Sequence, residues 1–242
     1  MPLPFSVDAF LDVFALYNTR LWPFALGLWA ATVVVLIAHV RGADRPQWIW
    51  GVLAVQWAWA AIAYHAALFS RINPAAWLFA VLFLVESGLL LWFGVARRRL
   101  QFSHGYAMQE RVGYALIAYG LLYPLIVLAD GHAYPRAPTF GVPCPTTIVT
   151  VGFLMLASRP VPSIVTLVPL LWTVVAGSAA FALGMRADLA LLVAGLVLGV
   201  DTWRRRPHVI REWYTRWGTE DEERRVRLPG DEIVARHPPA SG

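Results

Sequence analysis

Lysine is absent from this 242-residue chain, whose 20 basic residues are all arginine. Without a lysine amine the protein cannot form a Schiff base, which excludes a retinal-type pigment. The single cysteine, Cys144, excludes an intramolecular disulfide. Only 14% of the residues are charged and 58% are hydrophobic, whereas a soluble domain has about 25% charged residues. The composition therefore predicts an integral membrane protein with the lipid bilayer as its main partner.

The net charge of +5 does not indicate a nucleic-acid partner. The arginines cluster at the ends of apolar runs and near the C-terminus, where they typically act as topology signals and bind anionic headgroups. When alternate loops are assigned to opposite sides, ten arginines fall on one side and four on the other. The positive-inside rule then predicts an N-terminus outside and a C-terminus in the cytoplasm.

Apolar runs of helical length recur along the chain and predict an all-α membrane protein with about seven transmembrane helices. Two of these predicted helices, the fifth and the seventh, are short. The predicted spans are about 21–40, 47–69, 75–95, 112–129, 146–158, 163–183 and 188–203.

Two further segments flank these spans. Residues 5–19 alternate aromatic and acidic positions at helical spacing, which favours an N-terminal amphipathic helix in the membrane interface, the alternative being an early start of the first span. Residues 1–206 are thus predicted to form one polytopic membrane domain. Residues 207–242 are predicted to be a cytoplasmic tail with a short amphipathic helix followed by a disordered, charged and proline-rich end.

The stretch from Asp130 to Thr150 interrupts this pattern. It contains four prolines, which fix φ and remove amide donors, so we expect a rigid non-helical loop. Cys144 lies between two of these prolines. Because the fifth span has only about 20 Å of helix against a hydrocarbon core of ~30 Å, the loop is predicted to dip below the membrane surface.

Several short motifs carry a resemblance to a known family. They are YNxxxWP (residues 17–23), YHxxxF followed by INPAA (64–76), GHxYPxxPTFGVPCPTT (131–147), PLLW (169–172) and GSAAF (177–181). Over roughly residues 5–200 the chain resembles the bacterial membrane-protein family known as domain of unknown function 6064. The resemblance implies a multi-span architecture and a bacterial cytoplasmic (inner) membrane location, and it assigns no activity.

With the predicted topology, polar residues other than arginine gather on the extracytoplasmic side. This asymmetry, with the short fifth span, favours a transport or channel-like protein whose polar site is built on the 130–150 loop. The predicted ligand is a small solute or a metal ion, and no particular cofactor is indicated. The candidate substrate-binding residues are Tyr64, His65, Glu86, His132, Tyr134, Cys144, Thr146, Thr147 and Asp188.

Other functions are open for the same residues. His65, His132 and Cys144 carry ligand types suited to Zn²⁺ or copper, although they fall in different segments. Cys144 can alternatively serve as a catalytic nucleophile with His132 as its base, because a thiol before a helix N-terminus ionises more easily. The membrane-enzyme or metal/redox hypothesis rests on these residues. An accessory subunit of a membrane complex, or a homo-oligomer without chemistry, is a third hypothesis.

Two of the candidate features have structural alternatives. Thr146 and Thr147, with the amides that begin the fifth span, can bind an anion or a carbonyl, or Thr146 can simply cap that helix. Glu86 is the one acid deep within a predicted span, which marks it as a functional candidate. A protonated Glu86 hydrogen-bonded to a neighbouring helix is the structural alternative.

Overall fold

The structure, a computed structural model, describes residues 4–43, 45–102, 108–158 and 161–204. These residues are almost entirely helical, and the one extended pairing among them is a bridge between Phe102 and Ala157. The all-α prediction is thus confirmed for this part of the chain. The tail predicted for residues 207–242 lies outside the described residues.

The first helix, α1 (Val7–Val40), is continuous. The prediction of a separate amphipathic helix over residues 5–19 is therefore wrong, and Pro23 lies inside α1 without ending it. The aromatic side of the first half is buried within the protein, with Phe10 and Phe14 only 8% and 4% exposed. Because these rings already have protein partners, the segment does not need the membrane interface to cover them.

The next two helices each end in a π-helical segment. Helix α2 (Pro46–Trp59) continues into the first π segment (Ala60–Ala66), and α3 (Ala76–Leu89) continues into the second (Leu90–Ala96). A 3₁₀ turn, Phe69–Arg71, lies between them. Single π-helical turns inside longer helices often occur at functional sites. The first π segment carries two of the predicted site residues.

Helix α4 (Met108–Ala129) precedes the central loop, and α5 (Pro143–Met155) follows it. The helix begins at Pro143 rather than at residue 146, so the second part of the predicted loop, residues 143–150, is helical. Prolines are tolerated in a first helical turn because the amide hydrogens there have no intrahelical partner. The non-helical loop is therefore confined to residues 130–142, which we call the central loop.

Helix α5 is short and enclosed. Its 13 residues span ~20 Å, and all of them except Cys144 are buried. A Cβ atom on Gly113 of α4 would lie 2.8 Å from the backbone oxygen of Gly152 in α5, and the reverse contact is equally short. The two backbones therefore approach as closely as glycine alone permits. The apolar character of α5 reflects burial by neighbouring helices.

The chain continues through α6 (Ser163–Leu183) and a 3₁₀ turn, Arg186–Leu189. A last helix, α7, covers residues 190–204, where the described part of the chain ends. Leu191 and Leu198 of α7 belong to the same buried core as α5. The bounds of α6 match the predicted sixth span.

Among the residues that the structure describes, five helical segments are long and apolar enough to cross a membrane: Val7–Val40, Pro46–Arg71, Ala76–Ala96, Met108–Ala129 and Ser163–Leu183. Their outward surfaces expose large apolar side chains, among them Trp22 at 55% and Val34 at 64%. Such surfaces are typical of a membrane-embedded protein. The count of seven spans and the N-out orientation stay predictions.

Candidate functional site

Asn18 of α1 anchors the central loop. Its side-chain amide donates to the carbonyl oxygens of Pro135 and Ala137 at 2.6 and 2.7 Å, and its own oxygen accepts a bond from Thr139 at 2.6 Å. The asparagine is 1% exposed. Buried backbone carbonyls need such partners when no secondary structure supplies them. Hydrogen bonds from Asn18 therefore join the YN motif of α1 to the central loop.

Tyr17 fixes the end of the same loop. Its hydroxyl donates to the carbonyl of Phe140 at 3.2 Å and accepts from the indole N–H of Trp59 at 2.8 Å. Gly141 follows with φ +82°, and a Cβ atom there would lie 2.6 Å from the Tyr17 oxygen. Only glycine combines this left-handed backbone with so close a neighbour. The turn from the central loop into α5 therefore depends on this contact.

Arg136 ties the loop to α1 at the surface. Its guanidinium pairs with Asp8 at 3.1 Å and with Asp12 at 2.6 Å. All three side chains are substantially exposed, so each pair contributes little to stability. The acidic side of the segment predicted to lie in the membrane interface thus faces the loop.

These anchors position one wall of a cavity of about 320 Å³ between the start of α1 and the end of α6. We call it the aromatic cavity. Most of its surface is apolar, and eight aromatic side chains contribute to it. These are Phe5, Phe10, Phe14, Tyr64, Phe69, Phe79, Tyr123 and Trp172.

The opposite wall is made of small residues of α6, including Ala176, Ala179 and Ala180. Val175 and Ser178, which also line the cavity, are exposed at the surface. The cavity therefore opens at the side of the helix bundle. The GSAAF motif supplies this opening because its small side chains leave space that larger ones would fill.

The deep end of the cavity is polar. Asp188, in the 3₁₀ turn after α6, is 5% exposed and accepts a short hydrogen bond from the hydroxyl of Tyr123 in α4. The thiol of Cys144, at the second position of α5, lies against the same carboxylate. We call Tyr123, Cys144 and Asp188 the polar floor.

Titratable groups approach Asp188 from every neighbouring element. They are Tyr119 and Tyr123 of α4, Cys144 of α5, Tyr64 of the first π segment and His132 of the central loop. Arg186, on the same turn, instead directs its backbone N–H to Asp130 at 3.1 Å. Within the described ranges, no arginine or histidine forms an ion pair with Asp188.

Asp188 lies in the connecting turn, outside the helices that are long enough to span a membrane. Burial raises the pKa of its carboxyl to about 6, and hydrogen bonds from Tyr123 and Cys144 and the nearby His132 act in the opposite direction. The group is therefore mainly a carboxylate at neutral pH. A buried carboxylate without an ion pair is costly, which makes this position informative.

The two threonines of α5 do not cap the helix. The N-cap residue is Val142, and the backbone N–H of Thr146 already bonds to its carbonyl at 3.3 Å. The Thr147 hydroxyl donates to the carbonyl of Pro143 at 2.9 Å. The Thr146 hydroxyl is buried and has no hydrogen-bond partner among the described residues. The prediction that Thr146 caps the helix is wrong, because α5 begins three residues earlier.

His65 lies behind the cavity wall. It is fully buried, and its ring packs against Phe83 at 4.7 Å and against Trp172 at 5.1 Å. Neither ring nitrogen has a hydrogen-bond partner in the described part of the chain, nor does the indole nitrogen of Trp172. His65 therefore supports an aromatic side chain of the cavity and does not itself line it.

Glu86 lies elsewhere, in α3. It is fully buried, and neither carboxyl oxygen has a partner within the described ranges. The neighbouring Ser87 donates to the carbonyl of Ala54 in α2 at 2.8 Å. The alternative in which Glu86 hydrogen-bonds a neighbouring helix has no support in these contacts. The structure does not place Glu86 at the aromatic cavity.

Tyr134 and His132 belong to the central loop. Tyr134 is 62% exposed, and its hydroxyl lies 3.5 Å from the backbone oxygen of Asn18. His132 is half-buried, and its Nδ1 has no partner among the described residues. No described hydrogen bond joins His132 to Cys144, the pair considered as base and nucleophile.

A metal site was considered for His65, His132 and Cys144. Across the described residues, no three His, Cys, Asp or Glu side chains come together in a group that could hold a metal ion. The geometry therefore gives the metal hypothesis no support. The polar floor instead provides hydrogen-bonding groups and the negative charge of Asp188 beside the aromatic side chains of the cavity.

Apart from Tyr64, the aromatic side chains that line the cavity escaped the sequence prediction. Tyr123 precedes Pro124 in an apolar helix, where a buried tyrosine needs a hydrogen-bond partner for its hydroxyl. That requirement is the one sequence feature that could have indicated a polar contact at Tyr123. Trp172 was noticed only as part of a motif. Its contact with His65 depends on how α3, α6 and the first π segment pack, which no local pattern records.

Comparison with known proteins gives one match. The model of the family of unknown function DUF6064 matches residues 7–209, which covers the helices and loops described above. No curated protein and no solved structure matches the chain. Since the match spans most of the sequence, the chain belongs to the family of unknown function DUF6064.

Proposed function

We propose that this protein binds a small, largely apolar solute in the aromatic cavity and transports it across the bacterial cytoplasmic membrane. The observation that carries the proposal is a cavity of about 320 Å³ that combines an aromatic wall, an open side and a buried polar floor. Ligand pockets typically have volumes of roughly 300–1,000 Å³, are lined mostly by apolar groups and contain a few polar groups that orient the ligand.

The form of the helices around the cavity supports transport over simple storage. The floor is built where α5 starts after an irregular loop and where a 3₁₀ turn separates α6 from α7. Helices that break near a buried site are common in transporters, because their free ends supply polar groups within an apolar environment. The first π segment, which carries Tyr64, adds a third irregular element to the same site.

The arginine distribution supports an extracytoplasmic position for the cavity. The arginine triplet Arg97–Arg99 follows α3, at the end of that helix opposite to Ala76. The cavity is lined by Asn73 and Phe79, which lie near the start of α3. If the arginine-rich ends face the cytoplasm, the cavity lies towards the other side.

Transport can be tested in proteoliposomes. The purified protein would be reconstituted, and the uptake of three radiolabelled aromatic solutes measured: benzyltrimethylammonium, benzenesulfonate and phenylalaninamide. Together they carry a fixed positive charge, a fixed negative charge and a titratable amine on similar apolar bodies. We expect protein-dependent uptake of at least one of them.

A pair of α6 variants locates the route. Ala179→Phe places a ring in the cavity, whereas Val174→Phe adds the same ring to a position that is 65% exposed on the outer surface. Uptake should be lost in Ala179→Phe and kept in Val174→Phe. No uptake of any of the three solutes, or equal uptake by both variants, would contradict the proposal.

A further inference from the structure

We infer that the ligand of the aromatic cavity is a small organic cation, held between the Asp188 carboxylate and the surrounding aromatic rings. This inference rests on the proposed binding role of the cavity and adds the chemical class of its ligand. Neither family membership nor the apolar lining by itself indicates a charge on the ligand.

The first support is the unbalanced charge at the polar floor. Asp188 is 5% exposed and lines the cavity. Its described hydrogen-bond partners are the Tyr123 hydroxyl and the Cys144 thiol, neither of which carries a positive charge. His132 lies nearby but forms no described ion pair with the carboxylate. Buried carboxylates are normally paired with a cation, because the loss of water is otherwise uncompensated. A cationic ligand supplies the missing partner.

The arginine nearest to Asp188 in sequence, Arg186, is engaged elsewhere. Arg186, two positions before Asp188, bonds through its backbone to Asp130, and its side chain lies 4.0 Å from the same carboxylate. The Arg186 side chain is 84% exposed, so it points away from the buried floor. The protein thus places a cation close in sequence to Asp188 and does not use it to neutralise this carboxylate.

The second support is the aromatic wall. Phe14 stacks on Tyr64 with ring centroids 5.6 Å apart, and Tyr64 stacks on Phe69 at 5.7 Å. Phe10 meets Phe14 edge to face at 4.9 Å. The negative faces of aromatic rings attract cations, and cages of such rings recognise quaternary ammonium groups. An apolar ligand without charge would be satisfied equally well by aliphatic side chains.

The combination favours a cation over an anion or a neutral solute. An anion would be repelled by the Asp188 carboxylate and would meet no arginine or histidine among the described lining residues. A neutral solute would leave the carboxylate without a charged partner. An amine or quaternary ammonium group with an apolar body satisfies both features of the site.

The single cysteine provides a local readout. Cys144 lines the cavity beside Asp188, so an occupant of the floor should shield its thiol. The protein in lipid nanodiscs would be treated with N-ethylmaleimide at increasing concentrations of benzyltrimethylammonium. A parallel series would use its neutral isostere, neopentylbenzene, in which carbon replaces the nitrogen. The half-protecting concentration is the probe concentration that halves the labelling rate measured for the same protein without probe.

For each protein, the half-protecting concentration of the cation is divided by that of the isostere. We expect this ratio to be at least about tenfold lower in the wild-type protein than in Asp188→Asn. Comparing this ratio between the two proteins cancels the different partitioning of the probes into lipid. Asp130→Asn, which removes a carboxylate outside the cavity, should keep the wild-type ratio.

The outcomes separate the two proposals. Equal protection by both probes with an unchanged ratio in Asp188→Asn would overturn the cation assignment and leave the binding role standing. If neither probe protects Cys144, both proposals are overturned. If Asp188→Asn does not fold, Phe14→Leu replaces it, because the loss of an aromatic face should also reduce the preference for the cation. An unchanged preference in that variant would overturn the assignment.

Discussion

The Tyr123 hydroxyl donates a hydrogen bond to the Asp188 carboxylate across 65 positions of sequence. This bond joins α4 to the turn between α6 and α7, and it closes the deep end of the aromatic cavity. Both groups are buried, so the bond orients the carboxylate without neutralising it. The proposed binding of a cation depends on that remaining charge.

The ionisation of Asp188 makes cation binding depend on pH. Because burial raises the pKa of this carboxyl to about 6, lowering the pH from 7.5 to 5 protonates it and removes its charge. At pH 5, one unit below that pKa, only about a tenth of the Asp188 carboxyl groups keep their charge. The dissociation constant of benzyltrimethylammonium should therefore rise about tenfold. Equilibrium dialysis of the labelled cation against nanodiscs measures this change.

Asp188→Asn serves as the control for the pH experiment. His132 and the tyrosines near Asp188 are still present in this variant, so any pH dependence that they cause will persist. A flat profile in Asp188→Asn assigns the effect to the carboxylate. A profile identical to that of the wild type would show that another group is responsible.

The Asn18 side chain should contribute strongly to the free energy of unfolding. Asn18→Ala leaves the carbonyls of Pro135 and Ala137 without their donor, and each buried unsatisfied group costs about 1–3 kcal/mol. We expect a clear fall in the thermal unfolding midpoint in detergent. Thr19→Ala is the matched control, because Thr19 is exposed and bonds only within α1. Equal midpoints for the two variants would refute the anchoring role.

Gly141 and Tyr17 should be energetically coupled. Gly141→Ala combines a left-handed backbone with a contact 2.6 Å from the Tyr17 hydroxyl, and we expect a loss of about 2–4 kcal/mol. Gly131→Ala is the control, since Gly131 has φ +95° but no atom within 4 Å of the added Cβ. Adding Tyr17→Phe to Gly141→Ala removes the contacting oxygen.

The double variant decides the origin of that loss. If the contact causes it, the combined change in unfolding free energy will be smaller than the sum of the single changes. Strict additivity would mean that backbone conformation alone accounts for the cost at Gly141. Thermal or denaturant unfolding of the four proteins provides the cycle.

Much of the helical architecture follows from the sequence, because apolar runs and arginine clusters mark helix ends locally. Helix α6 was predicted to the residue, and Tyr64, Cys144 and Asp188, predicted as site residues from different segments, line one cavity. When successive loops are assigned to alternate sides of the membrane, these three residues fall on the same side. The aromatic lining itself was not predicted, because it depends on packing between distant helices.

The errors have specific physical causes. Pro143 and Pro145 predict a break in helical structure, but both lie in the first turn of α5, where a missing amide hydrogen removes no intrahelical bond. The start of α1 was assigned to the membrane interface because its buried partners, among them Tyr64 and Phe69, are distant in sequence. Glu86 was grouped with the site by its chemistry, and the structure does not place it there.

The most direct test of the central claim uses Cys144 in intact cells that express the protein. A membrane-impermeant maleimide is added from outside, and labelling is compared among the wild type, Ala179→Phe and Val174→Phe. The account predicts labelling of the wild type and of Val174→Phe, with slower labelling of Ala179→Phe because its ring fills the aromatic cavity. Labelling of Cys144 only after the cells are opened or the protein is unfolded would contradict an outward-facing, accessible site.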